Sequence, residues 1–303
     1  MDAALRNRLT YGPIMGAAIL LLLWLDHAAE GWTRGWIVAA GRDFGVGGIG
    51  LLILLLLILP PATYELARLF SARQLQPYRF IAAVGSWTLV THAFLMQFPR
   101  LSEYGTSSLA FIIVAVMLFA ALRRAWMRQT HEAISAMAGT VLATMYLGGL
   151  AWFLMALRVK HSSLPAPQGF HGSVPVILMM LLVVKSADIG AYFGGRLFGR
   201  HKLIPWLSPK KTWEGLVCGL ALSGVVGAVC APFVSHLHWE RALVLGVLIG
   251  VAGQLGDLLE SMMKRDAEVK DSSGLIPGFG GVLDVIDSPL LAAPFAYLVF
   301  SIF

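Results

Sequence analysis

Ser261-Met262-Met263-Lys264-Arg265-Asp266-Ala267-Glu268-Val269-Lys270-Asp271, running on to Gly280-Gly281-Val282-Leu283-Asp284-Val285-Ile286-Asp287, crowds basic and acidic groups between two strongly apolar segments, 241–263 and 282–303. Each flank reaches the ~20 residues that carry a helix across ~30 Å of hydrocarbon. A charged stretch between two such flanks belongs at a membrane face. Ionisable groups that continue into the flanks are costly at that depth and mark a functional site by default.

The same pattern extends over the whole chain. Of its 303 residues 57% are hydrophobic and only 13% charged, and the mean hydropathy is +0.74. An ordinary soluble domain is nearer half apolar and about a quarter charged, so that class is excluded. Lipid admits only helices or closed barrels, and these runs are too long and too uniformly apolar for barrel strands. The expected fold is therefore all-α: a polytopic membrane protein with about nine transmembrane helices. They are drawn at 9–25, 46–69, 80–98, 107–122, 134–156, 172–194, 212–234, 241–263 and 282–303. Cys218 and Cys230 lie in one apolar run without metal-ligand or disulfide spacing, and read as packing residues. Arg6 and Arg8 before an apolar run imitate a secretory signal. Asp26-His27-Ala28-Ala29-Glu30 offers no small-residue cleavage site, so the first run reads as a signal-anchor helix.

Loop charge orients the bundle. With the N-terminus cytoplasmic, the inner segments hold 16 Lys and Arg, from Arg6 and Arg8 through Arg123, Arg124, Lys210 and Lys211 to Lys270. The outer segments hold six: Arg34, Arg42, Arg100, Arg158, Lys160 and Arg241. That asymmetry places the N-terminus inside and accounts for the net charge of +6 without nucleic acid. The stretch His161–Gln168, with Pro165 and Pro167, is the expected seam between an anchoring half, 1–165, and a site-bearing half, 166–303.

Three polar stripes run along otherwise apolar helices. Asp257, Glu260, Ser261 and Lys264 fall at i, i+3, i+4 and i+7; Asp284, Asp287 and Ser288 at i, i+3 and i+4; Lys185, Asp188 and Tyr192 at i, i+3 and i+7. Gly190 and Gly194, four apart, suit a close helix contact. The expected topology puts Asp188, Asp257 and Asp284 toward the cytoplasmic ends of their helices, beside the basic loops 195–211 and 264–281. Carboxylates converging near a basic rim suit Mg²⁺ with a polyphosphate. The plain alternatives are a self-neutralising Lys185–Asp188 pair and a Glu260–Lys264 pair. A second motif, Leu207-Ser208-Pro209-Lys210-Lys211-Thr212-Trp213-Glu214-Gly215, reads as a helix start with Ser208 at the N-cap and Pro209 at the first helical position. Such a terminus with two lysines suits phosphate, although a capped helix with ordinary interfacial lysines reads equally well. The Gly-rich loop Ser272–Gly281 supplies backbone that can approach a ligand closely.

Taken together, these residues resemble the integral-membrane phosphatidate cytidylyltransferases, the CDP-diacylglycerol synthases. The C-terminal signature of that family is matched by Ser261, Lys264, Arg265, Lys270, Asp271, Gly274, Pro277, Gly278, Gly280, Gly281, Asp284 and Asp287. Asp188-Ile189-Gly190-Ala191-Tyr192-Phe193 with Gly195-Arg196, the block Ser208–Gly215 and, more loosely, Tyr64-Glu65-Leu66-Ala67-Arg68 are similar to further family blocks. The resemblance implies CTP and phosphatidic acid as substrates, CDP-diacylglycerol and pyrophosphate as products, and a site facing the cytoplasm from a bacterial-type inner membrane. It implies Mg²⁺, with K⁺ as an optional second ion, and a homodimer as one option for assembly. Asp257, Asp284 and Asp188 are then the metal ligands, and Asp257, Asp284, Lys264 and Asp287 the catalytic set. Ser208, Lys210, Lys211, Thr212, Glu214, Ser261, Arg265, Lys270, Asp271, Gly280 and Gly281 would hold substrate.

Two positions depart from the family pattern. Phe279 stands where the family has His, and Val285 where it has Arg. A weakly active or non-catalytic relative therefore stays open, as does a CTP-dependent polyprenol or phytol kinase. A transporter is disfavoured by the lack of repeat symmetry. If the departures are losses, Phe279→His or Val285→Arg raises turnover of phosphatidate. Unchanged turnover in both variants makes them adaptations.

Overall fold

The computed structural model describes residues 3–39, 42–73, 75–160, 174–234 and 237–302. The expected seam His161–Gln168 and the boundary at residue 165 lie outside the described residues. Eight of the described helices are long and apolar enough to cross a membrane. The chain is an all-α polytopic membrane protein. It divides into two compact units, Met1–Val159 with Asp266–Val285 and Lys160–Arg265 with Ile286–Phe303. The charged loop expected in the C-terminal half thus groups with the N-terminal helices.

The first unit opens with α1 (Ala3–Trp32), a short hairpin of β1 (Ile37–Ala39) and β2 (Arg42–Phe44), and α2 (Ile49–Ser71). Next come α3 (Arg79–Leu95), the single turn α4 (Pro99–Ser102) and α5 (Gly105–Trp126). A last span joins α6 (Ala133–Thr144), a π-helical turn (Met145–Gly149) and α7 (Leu150–Lys160). The third expected span, 80–98, is the one outside the eight. Its helix α3 has 17 residues, because Pro99 three residues beyond Met96 disfavours helix in the residue before it.

Apolar side chains lie on both faces of α2. Leu51, Leu55, Leu59, Leu66 and Leu69 are buried, while Ile53 and Leu57 are exposed where lipid would cover them. Hydrophobic contrast therefore does little to orient such a helix, and packing and polar contacts decide. The main polar contact here is a buried ion triad. Asp26 and Glu30, one turn apart on α1, take the guanidinium of Arg158 on α7, with Nε–Oδ2 2.6 Å and Nη2–Oε2 2.7 Å. Asp26 also accepts the N–H of Gly50 at the start of α2, at 2.9 Å. Paired in this way, the acids that read as a loop after residue 25 continue α1 to Trp32 instead. Arg158, counted above among outer-loop cations, is wholly buried.

The second unit comprises α8 (Val174–Phe198), β3 (Lys202–Ile204), β4 (Ser208–Thr212), α9 (Trp213–Cys230), a 3-10 turn (Ala231–Phe233) and α10 (Trp239–Asp266). The part of α11 (Leu283–Ile302) from Ile286 onward also belongs to it. The glycine pair on α8 does form a close contact. A Cβ on Gly190 would come within 2.9 Å of the Cys218 carbonyl oxygen and the Gly219 Cα of α9, so the two backbones pack directly.

The helix start read at Ser208 is corrected. Ser208–Thr212 is a strand paired antiparallel with Lys202–Ile204, and α9 begins at Trp213. Thr212, extended at φ −128° and ψ 155°, is the N-cap, and its Oγ1 accepts the Gly215 N–H at 3.1 Å. Pro209 favours an extended residue before it as readily as it favours a first helical turn, and strand pairing decides between them.

Removing Arg158 would leave two carboxylates buried without their cation. Arg158→Ala is expected to cost about 3–5 kcal/mol, read as a lowered melting temperature of the detergent-solubilised protein. Replacing Asp26, Glu30 and Arg158 together by apolar residues of similar size should restore most of it.

Candidate functional site

In the second unit, the stripe on α10 meets the lysine motif. Lys211 on β4 forms an ion pair with Asp257, and its Nζ also donates to Gln254 Oε1 at 3.5 Å. Gln254 Nε2 donates to Asp188 Oδ1 on α8 at 2.9 Å, and Lys185 Nζ stands 3.6 Å from Asp188 Oδ2. Alternation along a strand sends neighbouring side chains to opposite faces. Lys210 accordingly is exposed and has no ion pair among the described residues, whereas Lys211 reaches the acids.

Among the described residues, Asp257, Glu260 and Asp287 form an acidic group close enough to share an ion. One oxygen from each lies within 4.8 Å of the others. Glu260 and Asp287 are 1% and 3% exposed, while the Asp257 side chain is 34% exposed. Glu260 also takes Lys264 one turn on, at 2.8 Å, so the expected pair forms inside the cluster. The three lysines 185, 211 and 264 oppose the four carboxylates 188, 257, 260 and 287, an excess of one negative charge in this group. Buried carboxylates this close repel unless a proton or a cation intervenes.

The donor set suits Mg²⁺. The ion takes hard oxygen ligands at about 2.1 Å in an octahedron, and commonly one or two carboxylates with substrate phosphates and water. Oxygens on that sphere are about 3.0 Å apart when adjacent and about 4.2 Å when opposite, so side-chain movements of an ångström or two would bring the three oxygens onto it. Of the expected metal ligands, Asp257 lies in this cluster and Asp188 is joined to it through Gln254. Glu260 and Asp287 join them. Ser261 and Arg265 lie on the same last turns of α10, half-buried and exposed respectively. Thr212 and Glu214 serve the hairpin. Glu214 accepts the N–H groups of Arg200 and His201 at 3.1 and 3.2 Å and pairs with His201 Nδ1 at 2.6 Å.

The first unit holds the charged loop. Arg73, at the end of α2, pairs with Asp266 and Glu268 at 3.3 Å each. Lys270 and Asp271 are exposed and Ser272 is buried. A tight hairpin turn follows, in which Ile276 and Gly280 exchange backbone hydrogen bonds at 2.8 and 3.0 Å. Pro277 and Gly278, the latter at φ 85°, occupy its corner. That pairing needs φ > 0 at the second central residue of a type II turn, which glycine adopts without strain. Phe279, in place of the family His, sits over α1, and a Cβ on Gly12 would lie 3.4 Å from the ring edge.

The amides of this loop are largely turned inward. Asp284 Oδ2 accepts the N–H of Ser272 at 3.1 Å, its hydroxyl at 3.0 Å, and the N–H of Gly281 at 2.6 Å. The Gly280 N–H goes to the Ile276 carbonyl. Gly280 and Gly281, expected to face phosphate, here close the loop. Three residues without a site role in the sequence reading emerge: Glu260, read there as a partner of Lys264, Gln254 and Glu65. Gln254 lies one turn before Asp257 on the same helical face, a spacing that could have flagged it. Glu65 was visible as a lone acid in the apolar span of α2.

A sequence profile of the Cytidylyltransferase family matches residues 8–303. The chain therefore belongs to that family. It is similar to the phosphatidate cytidylyltransferase of Synechocystis sp., 46% identical over 132 residues, which are 43% of this chain and 45% of that protein. An uncharacterized Escherichia coli protein, YnbB, is 38% identical over 162 residues, 53% of this chain and 51% of its own. The phosphatidate cytidylyltransferase of Haemophilus influenzae is 42% identical over 155 residues, 49% of this chain and 52% of that protein. The matched stretches thus span about half the length of these relatives.

Proposed function

We propose that this protein transfers the cytidylyl group of CTP to phosphatidic acid, giving CDP-diacylglycerol and pyrophosphate, at the cytoplasmic face of a bacterial-type inner membrane. The observation that carries the reading is the joining of Lys211, from the lysine motif, to the carboxylates of Asp257, Glu260 and Asp287. Family membership and the printed names of two similar proteins support the choice of substrates. The excess of Lys and Arg in the expected inner segments supports the orientation.

The acceptor phosphate is already an anionic nucleophile, so its attack on the α-phosphorus needs no covalent enzyme intermediate. The difficulty is to bring two anions together and to stabilise the departing pyrophosphate. Positioning and electrostatics carry such a step. Asp257, Glu260 and Asp287 would hold Mg²⁺, with Asp188 as a supporting carboxylate. Bound there, the ion would neutralise phosphate oxygens and act as a Lewis acid. Lys211 and Lys264 hold the carboxylates of Asp257 and Glu260 in place through ion pairs. Lys210, Arg265 and Ser208 would meet phosphates from the aqueous side. A homodimer and a K⁺ ion beside the Mg²⁺ are compatible with this scheme.

Incubating the purified protein with radiolabelled CTP and phosphatidic acid should give labelled CDP-lipid and pyrophosphate, dependent on Mg²⁺. Lipid phosphate with CDP would instead identify a kinase. Asp257→Asn and Asp287→Asn should each lower turnover ~100-fold or more while the protein still inserts and purifies. Full turnover in both would remove the cluster from the mechanism. Lys211→Ala should be far more damaging than Lys210→Ala, measured as kcat/KM for CTP, because only Lys211 is built into the acidic cluster.

A further inference from the structure

Glu65 is the one acid in the apolar interior of α2, and it is 3% exposed. Its neighbours on that face of the helix, Leu59, Ala62, Leu66 and Leu69, are apolar and buried. A carboxylate in such surroundings persists only where hydrogen bonds replace its water. Glu65 finds four, and all come from the charged loop. Oε1 accepts the Ser273 hydroxyl at 2.6 Å and the Val282 N–H at 3.1 Å. Oε2 accepts the Ser272 hydroxyl at 3.1 Å and the Leu283 N–H at 2.8 Å.

These donors come from both limbs of the loop. Ser272 and Ser273 lead into the Ile276–Gly280 turn, and Val282 and Leu283 lead out of it into α11. One carboxylate therefore closes the loop at its neck. Val282 and Leu283 are also the entry to a helix, where unpaired N–H groups would attract an anion. Glu65 fills that place from within the protein. The Ser272 hydroxyl, which has a single proton, lies between Glu65 Oε2 and Asp284 Oδ2. It couples the clamp to Asp284. Lys270 and Asp271 directly precede the clamped Ser272, so the neck also fixes where they stand relative to Asp284.

We infer that Glu65 is a positioning residue: it locks the neck of the loop 272–283 and thereby sets the places of Lys270, Asp271 and Asp284 toward the nucleotide phosphates. This rests on the reading of the protein as a CTP-dependent transferase. The clamp itself is independent of that reading, because it is built from hydrogen bonds within the chain. Glu65→Gln keeps the shape of the side chain but replaces one accepting oxygen with an NH₂ facing donors. Glu65→Asp keeps the charge with a shorter reach. Ser272→Ala with Ser273→Ala removes the hydroxyl half of the clamp and leaves α2 untouched.

The test uses the full-length protein in nanodiscs and two readouts. In hydrogen exchange, Glu65→Gln should speed exchange at Val282 and Leu283 about tenfold or more, with exchange of the spanning helices unchanged. In kinetics, Glu65→Gln and the double serine variant should raise the KM for CTP about tenfold or more and change kcat much less. Glu65→Asp should recover part of that loss. Unchanged exchange at Val282 and Leu283 in Glu65→Gln would overturn the clamp. Loosened exchange with an unaltered KM for CTP in both variants would overturn the positioning role. Uniformly faster exchange across the helices in Glu65→Gln, with normal exchange and KM in the double serine variant, would reduce Glu65 to a stability residue and also overturns it. Because the exchange readout needs no turnover, wild-type protein that makes no CDP-lipid would count against the reaction and leave the clamp to be decided by exchange alone.

Discussion

A charge that leaves water for the interior of a membrane protein must find a partner, and this demand organises the fold. Apolar helices surrounded by lipid gain little from hiding one face over another, so their polar groups carry much of the information about which helix meets which. Three arrangements in this protein answer the demand differently. Arg158 binds α7 to two acids of α1 and is sealed from any ligand. Glu65 spends its charge on the neck of a loop. Asp257, Glu260 and Asp287 gather with fewer cations than carboxylates, and Asp257 remains partly exposed. The first arrangement is buried throughout, the second holds a neighbouring segment in place, and the third keeps one of its carboxylates partly open.

Exposure separates the first arrangement from the third. The triad sets two carboxylates against one guanidinium with all three groups buried, and Asp26 also accepts the Gly50 N–H. In the second unit, Lys211 satisfies Asp257 and Gln254, and Gln254 passes the contact on to Asp188. That relay ties the hairpin of β3 and β4 to α8 and α10. The lysine of a surface motif thus becomes part of the acidic site.

Much of this was legible in the sequence, because its signals are local. Long apolar runs announced the helices, and carboxylates three and four residues apart announced a shared face. The Gly190 and Gly194 spacing announced the close α8–α9 contact. What escaped depended on partners distant in the chain. Asp26 and Glu30 looked like the end of a span because nothing nearby revealed that Arg158, more than a hundred residues on, would pair with them. Ser208-Pro209 carried a true helix-start pattern. The strand pairing of Ser208–Thr212 with Lys202–Ile204 overrode it, and the helix started four residues later under a Thr212 cap. The loop Ser272–Gly281 looked like an open cradle of amides, since spacing cannot tell whether a ligand or an internal carboxylate will receive an N–H. Asp284 receives those of Ser272 and Gly281, and Glu65 receives those of Val282 and Leu283 just beyond.

The central claim, that Asp257, Glu260 and Asp287 hold a divalent cation, is tested most directly by binding rather than by turnover. Mn²⁺ in place of Mg²⁺ can be followed by electron paramagnetic resonance on the full-length protein in nanodiscs, in the presence of CTP. The account predicts a bound ion coupled to phosphorus in the wild type, and loss of that signal when the three carboxylates are replaced together by their amides. Equal occupancy and equal phosphorus coupling in the two proteins would contradict it.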